Sequence, residues 1–260
     1  MAFPQVADTN SSTGGSNTTS HTVDLPANIV AGNLLLILMA TDGNPGISFP
    51  AGWNEIKELP SATNGSTIAV AWREADGEEG ASITVTTGSG EQSTHYSYRI
   101  TGAIDPDTQP PEVSTGVSSG SNTNPNPDEL IPTGGAKDYL WFAFEGCDGE
   151  NVASGFPTNY GNTQSQTAGT GGGECSMGVA RRELNAISED PGAFTIPNSQ
   201  DWAACTVGIH PEAAVGGTNL QLNIGDDWKA VDAMQINIGD DWKAVAGIQV
   251  NIGDDWKEVF

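Results

Sequence analysis

Two apolar runs dominate the pattern of hydrophobic and polar positions along the chain. Residues 34–40 read Leu-Leu-Leu-Ile-Leu-Met-Ala, and residues 139–144 read Tyr-Leu-Trp-Phe-Ala-Phe. Both runs are too short to span a membrane and both follow a turn rich in Gly, so each predicts a central strand buried on both faces. Further strands are predicted at Thr67–Arg73, Ser82–Thr87 and Thr94–Ile100.

The order of these segments is repeated, more faintly, in the second half of the chain. Leu130–Phe144 follows the pattern of Leu25–Ala40, and Asp148-Gly149 matches Asp42-Gly43. The spacing between matching segments grows slowly along the chain, as loop insertions into a duplicated unit would produce. We therefore expect residues 1–210 to form an all-β, jelly-roll-like β-sandwich built from two related halves.

Polar stretches separate the predicted strands. Residues 1–20 predict a short strand at Phe3–Val6 followed by a Ser/Thr/Asn/Gly run, and residues 103–128 predict a connection between the halves. Gly161–Glu174 is predicted to be a flexible loop, and residues 211–219 a linker.

Residues 220–260 contain three tandem copies of one sequence repeat. Asn-Ile-Gly-Asp-Asp-Trp-Lys recurs without change within 220–231, 234–245 and 248–259. Each copy predicts a β-hairpin, because an alternating apolar run is followed by a Gly-Asp-Asp break and a short run led by Trp. A three-residue loop would place Ile224 opposite Trp228 and give the hairpin one apolar face.

A single hairpin is only marginally stable in water, so the three copies are expected to share a core. Its predicted core and docking residues are Ile224, Trp228, Ile238, Trp242, Ile252 and Trp256. The pattern leaves open a closed pseudo-threefold module, a six-strand meander, and a solvated stalk in which Trp side chains only join neighbouring hairpins.

The net charge of the chain excludes some classes of binding partner. Asp and Glu outnumber Lys and Arg by 33 to 9 among 260 residues, for a formal net charge of −24. Such a surface repels phosphate backbones and anionic membranes, so neither nucleic acid nor a membrane is an expected partner. Abundant Gly, at 33 residues, and 15 Pro fit an all-β protein with many turns.

The cysteines and the chain start indicate the compartment. Cys147, Cys175 and Cys205 are odd in number and widely spaced, which fits neither a disulfide framework nor a zinc site. Buried free thiols are expected. The first residues lack a basic, apolar signal sequence, so assembly in a reducing cytoplasm is expected.

Candidate chemistry is sparse, and no catalytic residue is predicted. His21, His95 and His210 lack ligand spacing, and a packed or half-exposed imidazole is the ordinary interpretation of His95. Asp42 and Asn44 lie in one loop, and Asp148 and Glu150 in the matching one; together they form candidate cation loops, for which calcium is the suitable ion. Asp-Gly is also a plain turn signal, and no other metal site or cofactor is predicted.

Two parts of the chain resemble proteins of tailed bacteriophages. The Leu-Pro-Ala…Ala-Gly-Asn-Leu-Leu-Leu…Pro-Ala-Gly-Trp pattern of Leu25–Trp53 is similar to a β-sandwich of phage structural and appendage proteins. The tandem repeats are similar to short repeats at the ends of phage tail, fibre and virion accessory proteins. The resemblance implies a virion context and carries no catalytic or binding residue.

These observations lead to one main hypothesis. The protein is expected to be a non-enzymatic structural protein on the exterior of a tailed-phage virion, as a head decoration or an appendage. The repeats would dock on capsid or tail subunits, the acidic sandwich would face solvent, and the assembly would be a homotrimer.

The alternative is an adhesin, a tail or head fibre that binds a host surface glycan. Trp53, Tyr160 and Trp202 exposed on one rim would favour this role, whereas their burial would favour a scaffold. A polysaccharide depolymerase is disfavoured, because that role needs a long groove.

Overall fold

The first of two compact units spans Met1–Glu212 and the second Ala213–Phe260. The computed structural model describes residues 2–171 and 173–212 in full, together with the backbone of six short strands between residues 220 and 258. The described residues contain strands and turns but no helix, and therefore no helix that could cross a membrane.

The first half of the sandwich unit forms one antiparallel sheet. Its strands are β1 (Gln5–Asp24), β2 (Leu34–Asp42), β3 (Ile47–Ser48), β4 (Asn54–Pro60), β5 (Ser66–Glu74) and β6 (Ser82–Thr101). They lie in the order β1-β6-β2-β5-β4, and β3 pairs with β6. The separately predicted segments at Ser82–Thr87 and Thr94–Ile100 are two parts of one long strand.

The second half forms the second sheet. Its strands are β7 (Glu112–Val113), β8 (Val117–Asn122), β9 (Lys137–Asp148), β10 (Gly161–Ala168), β11 (Cys175–Ala186) and β12 (Gln200–Ile209). They lie in the order β10-β11-β9-β12-β7, and β8 also pairs with β12. All ladders of this sheet are antiparallel.

The two sheets have matching topology and matching register. In each sheet the most apolar strand, β2 or β9, lies centrally. It pairs with the last strand of its half, β6 or β12, on one side and with β5 or β11 on the other. The matching ladders are Leu34 opposite Glu74 and Ile100, and Leu140 opposite Glu183 and Ile209. The predicted all-β sandwich built from two related halves is confirmed.

The core lies between the two sheets. Alternate residues of β2 and β9, such as Leu36 and Phe142, point into this layer with Val70, Tyr98 and Val207. The intervening residues are buried as well, because strand β3 and loops cover the outer faces. Both central strands are therefore buried on both faces, as their uninterrupted apolar runs predict.

Three predictions for the polar segments were wrong. β1 continues through the whole Ser/Thr/Asn run, β10 occupies most of the predicted loop at Gly161–Glu174, and β7 and β8 lie within the predicted connection at residues 103–128. β1 and β10 lie at the ends of their strand orders, and β7 and β8 pair only with β12. Main-chain hydrogen bonds to a better-defined neighbour hold such strands without an apolar pattern.

The second unit contains one antiparallel strand pair in each sequence repeat. The strands are β13 (Leu220–Ile224), β14 (Asp227–Val231), β15 (Gln235–Ile238), β16 (Asp241–Ala244), β17 (Gln249–Ile252) and β18 (Asp255–Glu258). How the three pairs assemble lies outside the described residues, as do the side chains of the predicted docking positions. The closed module, the meander and the stalk therefore remain predictions.

The predicted register of the repeats was wrong. Ile224 pairs with Asp227 and Asn223 with Trp228, so two residues separate the strands instead of three. The same pairing recurs in the other two copies. Two-residue connections are favoured because their twist matches that of the strands, and Gly suits their first position. This preference outweighs the single apolar face on which the three-residue loop was based.

Candidate functional site

Two equivalent carboxylates meet at one end of the sandwich. Asp42 is the last residue of β2 and Asp148 is the last residue of β9. The same number of residues separates Asp42 from Leu34 and Asp148 from Leu140, the two positions that the ladders make equivalent. The duplication therefore places one acidic group from each half at the same end of the sandwich. We call this region the acidic end; it comprises Asp42, Asp148 and their charged neighbours Glu91, Glu174 and Asp201.

Asp42 and Asp148 resist ionisation. The pKa of Asp42 is raised to about 6, first by burial and then by the charges of Asp148, Glu91 and Glu174. Burial also raises the pKa of Asp148, and the charges of Asp201 and Glu174 add to this. Like charges that share a partly desolvated space disfavour each other's ionised forms.

Asp201 is the anchored member of the group. Its Oδ2 accepts hydrogen bonds from Ser61 Oγ and the Gly65 amide, both at 2.9 Å, and from Thr63 Oγ1. Burial acts to raise its pKa, but these donors outweigh it and the net pKa is lowered. Asp201 is thus a charged group that ties a turn of the first half to β12 of the second.

Gln92 closes the acidic end from the side of β6. The side chain is buried, and its Oε1 has no hydrogen-bond donor within residues 2–171 and 173–212. Gly173 lies against it: a Cβ there would be 3.1 Å from Gln92 Nε2 and 3.4 Å from Asp42 Oδ2. The Gln92 amide nitrogen and the Asp42 carboxylate thus face Gly173, whereas Gln92 Oε1 faces Gly169.

The two candidate cation loops are only partly brought together. Asp42 and Asp148 meet, but Asn44 donates to Asn64 Oδ1 at 3.1 Å and Glu150 is exposed. Gly43 and Gly149 adopt φ of 65° and 78°, so each Asp-Gly pair forms a turn that suits glycine. Three carboxylates with oxygens within 4.8 Å occur elsewhere among the described residues, at Glu74, Asp105 and Asp107 on the surface.

Three members of the acidic end could not be recognised from the sequence. Glu91, Glu174 and Asp201 lie on different strands or loops and form no spaced motif. Their carboxylate oxygens are the type of ligand atom that calcium prefers. Calcium at the acidic end remains a prediction.

The aromatic residues that would mark a glycan-binding rim are not displayed together. Trp53 and Trp202 are buried, and the indole of Trp202 donates to Asn122 Oδ1 at 2.9 Å. Tyr160 is half-buried, and its hydroxyl donates to Glu189 Oε1 at 3.2 Å. Sugar stacking on an exposed aromatic rim has no support from these three residues.

The cysteines are buried free thiols, as predicted. Burial raises the pKa of Cys147 well above its ordinary value and that of Cys205 to about 12. Thiols held protonated in this way are poor nucleophiles and poor metal ligands.

A scan against protein-family models gives no match, and searches of the curated proteins and of the solved structures give none. The resemblance to tailed-phage proteins therefore stays a prediction from sequence.

Proposed function

We propose that this protein is a non-enzymatic structural protein on the exterior of a tailed-phage virion, as a head decoration or an appendage. It is assembled in the host cytoplasm and docks on capsid or tail subunits through its C-terminal repeats. The acidic sandwich faces solvent, and the assembled form is a homotrimer. The tandem repeats carry the phage assignment, and the surface of the sandwich supports the orientation.

The observation that supports this orientation is that the described part of the sandwich exposes few large apolar side chains. Its exposed large hydrophobic side chains are few and lie on different segments: Val30, Val117, Ile131, Val152 and Ile187. Stable protein interfaces need a desolvated apolar centre, which these residues do not readily supply. Each sequence repeat, by contrast, contributes a Trp and a two-stranded hairpin, and strand edges of this kind can accept another strand.

Deletion of residues 216–260 tests the orientation. The truncated sandwich is expected to remain folded and to lose binding to particles that lack the protein. The full chain, added to the same particles, is the control. Full occupancy by the truncated chain would show that the sandwich is the anchor. Copy number from a quantitative gel separates a decoration, at hundreds per particle, from an appendage at a dozen or fewer.

The second candidate function is a host-glycan-binding adhesin. It is favoured by one observation, a polar cleft that contains an arginine with no ion pair within the described part of the chain. This cleft lies within the sandwich, so its ligand can be studied whether or not the protein is attached to a particle.

A further inference from the structure

A cleft opens between the two sheets at one edge of the sandwich. Its volume is about 680 Å³, within the range of small-molecule sites. β1 lines one side, and β9, β10 and β11 line the other. The residues that line it include Gln5, Leu140, Asn159, Asn162, Arg181 and Glu183.

Arg181 points towards the cleft because side chains alternate between the two faces of strand β11. Met177 and Val179 alternate along β11 and point into the core between the sheets, so the next residue in this series points the same way. The guanidinium carbon lies 5.7 Å from the centre of the Tyr98 ring. Arg181 is thus fixed at the floor of the cleft, where the core ends.

The Arg181 guanidinium makes no ion pair within residues 2–171 and 173–212, although the charge of Glu183 acts on it. Arg181 Nε is buried and lacks an acceptor among the described residues. Glu183 is its nearest acidic neighbour along β11, but Glu183 Oε1 accepts Gln5 Nε2 at 2.8 Å. The adjacent Arg182 differs, because its Nη1 lies 2.9 Å from Glu189 Oε1.

Arg181 also differs from Arg99, which makes no ion pair among the described residues but whose Nε donates to the Ala27 carbonyl at 3.0 Å. Burial lowers the pKa of Arg181, but a guanidinium remains charged at neutral pH. A buried donor that is left unsatisfied is costly, and a planar carboxylate is the acceptor that fits a guanidinium fork. The cleft therefore suits a ligand that carries a carboxylate.

The rest of the lining indicates what else the ligand contains. Asn159 and Asn162 make no side-chain hydrogen bond within the described part of the chain, and both have left-handed backbones, with φ of 67° and 48°. Free amides both donate and accept hydrogen bonds, which suits sugar hydroxyls. The apolar lining is confined to Val6 and Leu140, which is too little for the side-chain pockets of a bound peptide.

We propose that this cleft binds a carboxylate-bearing saccharide of the uronic acid type, with the carboxylate on Arg181 and the hydroxyl groups on Asn159 and Asn162. The saccharide would be one or two rings long, as the cleft volume allows. Glu183 disfavours a second negative charge at the mouth of the cleft, so a singly charged sugar is preferred over a polyanion.

Calorimetric titration of the full-length chain with D-glucuronate tests this proposal. Saturable binding is expected, with much weaker binding of D-glucose, which lacks the carboxylate, and of acetate, which lacks the ring. Arg181→Gln should weaken the affinity for glucuronate by at least about tenfold, since a hydrogen bond to a charged group is lost. Arg99→Gln is the matched control, because it removes the same charge from β6 outside the cleft.

A second variant covers the case in which Arg181→Gln does not fold. Asn162→Gly keeps the left-handed backbone and removes one exposed amide, so the fold should persist while glucuronate binds several-fold more weakly. Saturation-transfer signals from the ring protons of glucuronate should appear with the wild-type chain. The proposal is overturned if glucuronate gives no binding, or if neither cleft variant weakens it. Equal binding of acetate, or tighter binding of an acetylated Ala-Glu-Ala amide, would also overturn it.

Discussion

Ser93 Oγ lies between two buried imidazoles, 2.7 Å from His21 Nδ1 and 2.9 Å from His95 Nε2. The network continues to Thr87 Oγ1, 2.9 Å from His21 Nε2, and to Ser12 Oγ, 3.0 Å from His95 Nδ1. It joins β1 to β6, where β1 is an edge strand with several register shifts. The predicted packed imidazole at His95 is confirmed, and its partner is the distant His21.

This network predicts that the sandwich is destabilised by acid. Burial, followed by the nearby His21, lowers the pKa of His95 to about 3; burial also lowers the pKa of His21, although Glu91 opposes this. Both groups bind protons more readily when unfolded, so their contribution to stability is full above pH 6.5 and is lost as pH falls below it. Each proton taken up on unfolding contributes a slope of about 1.4 kcal/mol per pH unit.

Urea unfolding from pH 7.5 to pH 4.5 measures this slope. His95→Gln removes one titrating group and keeps polar atoms for Ser12 and Ser93, so its stability should vary less with pH than that of the wild type. Identical slopes for the two proteins would show that His95 does not control the acid response.

At the acidic end the pH dependence has the opposite sign. The folded pKa of Asp42 lies near 6, above its ordinary value of 3.8, so its contribution to stability falls as pH rises through this window. Asp42→Asn should stabilise the protein at pH 7.5 by on the order of 1–2 kcal/mol, after discounting for solvent screening, and have little effect at pH 4. Glu150→Gln, in the matching loop, is the control. Thermal melts at both pH values decide between these outcomes.

Calcium is expected to relieve the same repulsion. Millimolar calcium should raise the melting temperature of the wild type at pH 7.5 more than that of Asp42→Asn, because bound cation lowers the cost of adjacent carboxylates. An equal effect on both proteins, or on the Glu150→Gln control alone, would place the ion elsewhere.

The features predictable from sequence are those set by uninterrupted apolar strands and by duplication. Leu34–Ala40 and Tyr139–Phe144 are central in the sheets because burial on both faces demands apolar residues without alternation. The position of Asp42 at the end of one such strand then fixes that of Asp148 in the other. These inferences need only the order of the segments.

Other features depend on partners that sequence does not reveal. Asp201 is held by donors from residues 61–65, more than half a chain away, and no spacing rule connects them. β1 and β10 are polar because an edge strand needs only main-chain partners. The repeat register depends on the local geometry of a two-residue connection, which outweighed an argument from side-chain faces.

Burial of the Glu145 carboxyl group predicts a loss of stability as the pH rises. It is fully buried on β9, opposite Gly178 and Ala204, and among the described residues only the Cys147 thiol offers its carboxyl group a hydrogen bond. Burial raises its pKa well above the ordinary value of 4.5. Stability is therefore lost as pH rises above 4.5, because ionisation of this group in the folded state is costly.

Glu145→Gln keeps the shape of the side chain and cannot ionise. Urea unfolding should show that the variant loses less stability than the wild type between pH 6 and pH 9. Glu183→Gln, on the exposed part of β11, is the comparison and should leave the wild-type profile unchanged. Parallel profiles for wild type and Glu145→Gln would contradict the prediction.

The arrangement of the core predicts that neither half of the sandwich folds alone. The first half supplies one sheet, and the inner face of that sheet is covered only by the second half. Its buried residues there are Leu34, Leu36, Leu38, Ala40, Ile68, Val70, Trp72, Tyr96, Tyr98 and Ile100. Burying a large apolar side chain contributes roughly 1.5–3 kcal/mol, so together they exceed the net stability of about 5–15 kcal/mol of an ordinary domain.

Residues 1–105 expressed alone should therefore be insoluble or unfolded, since the separated sheet exposes this whole face to water. Co-expression with residues 106–260 is the matched control, and it should recover a soluble complex because the missing sheet is restored. Backbone bonds also join the halves, as between the Ile104 amide and the His210 carbonyl at 3.1 Å. Circular dichroism and thermal melting of each fragment decide the matter. A soluble first half with a cooperative melt would mean that one sheet and its outer cover are sufficient to fold.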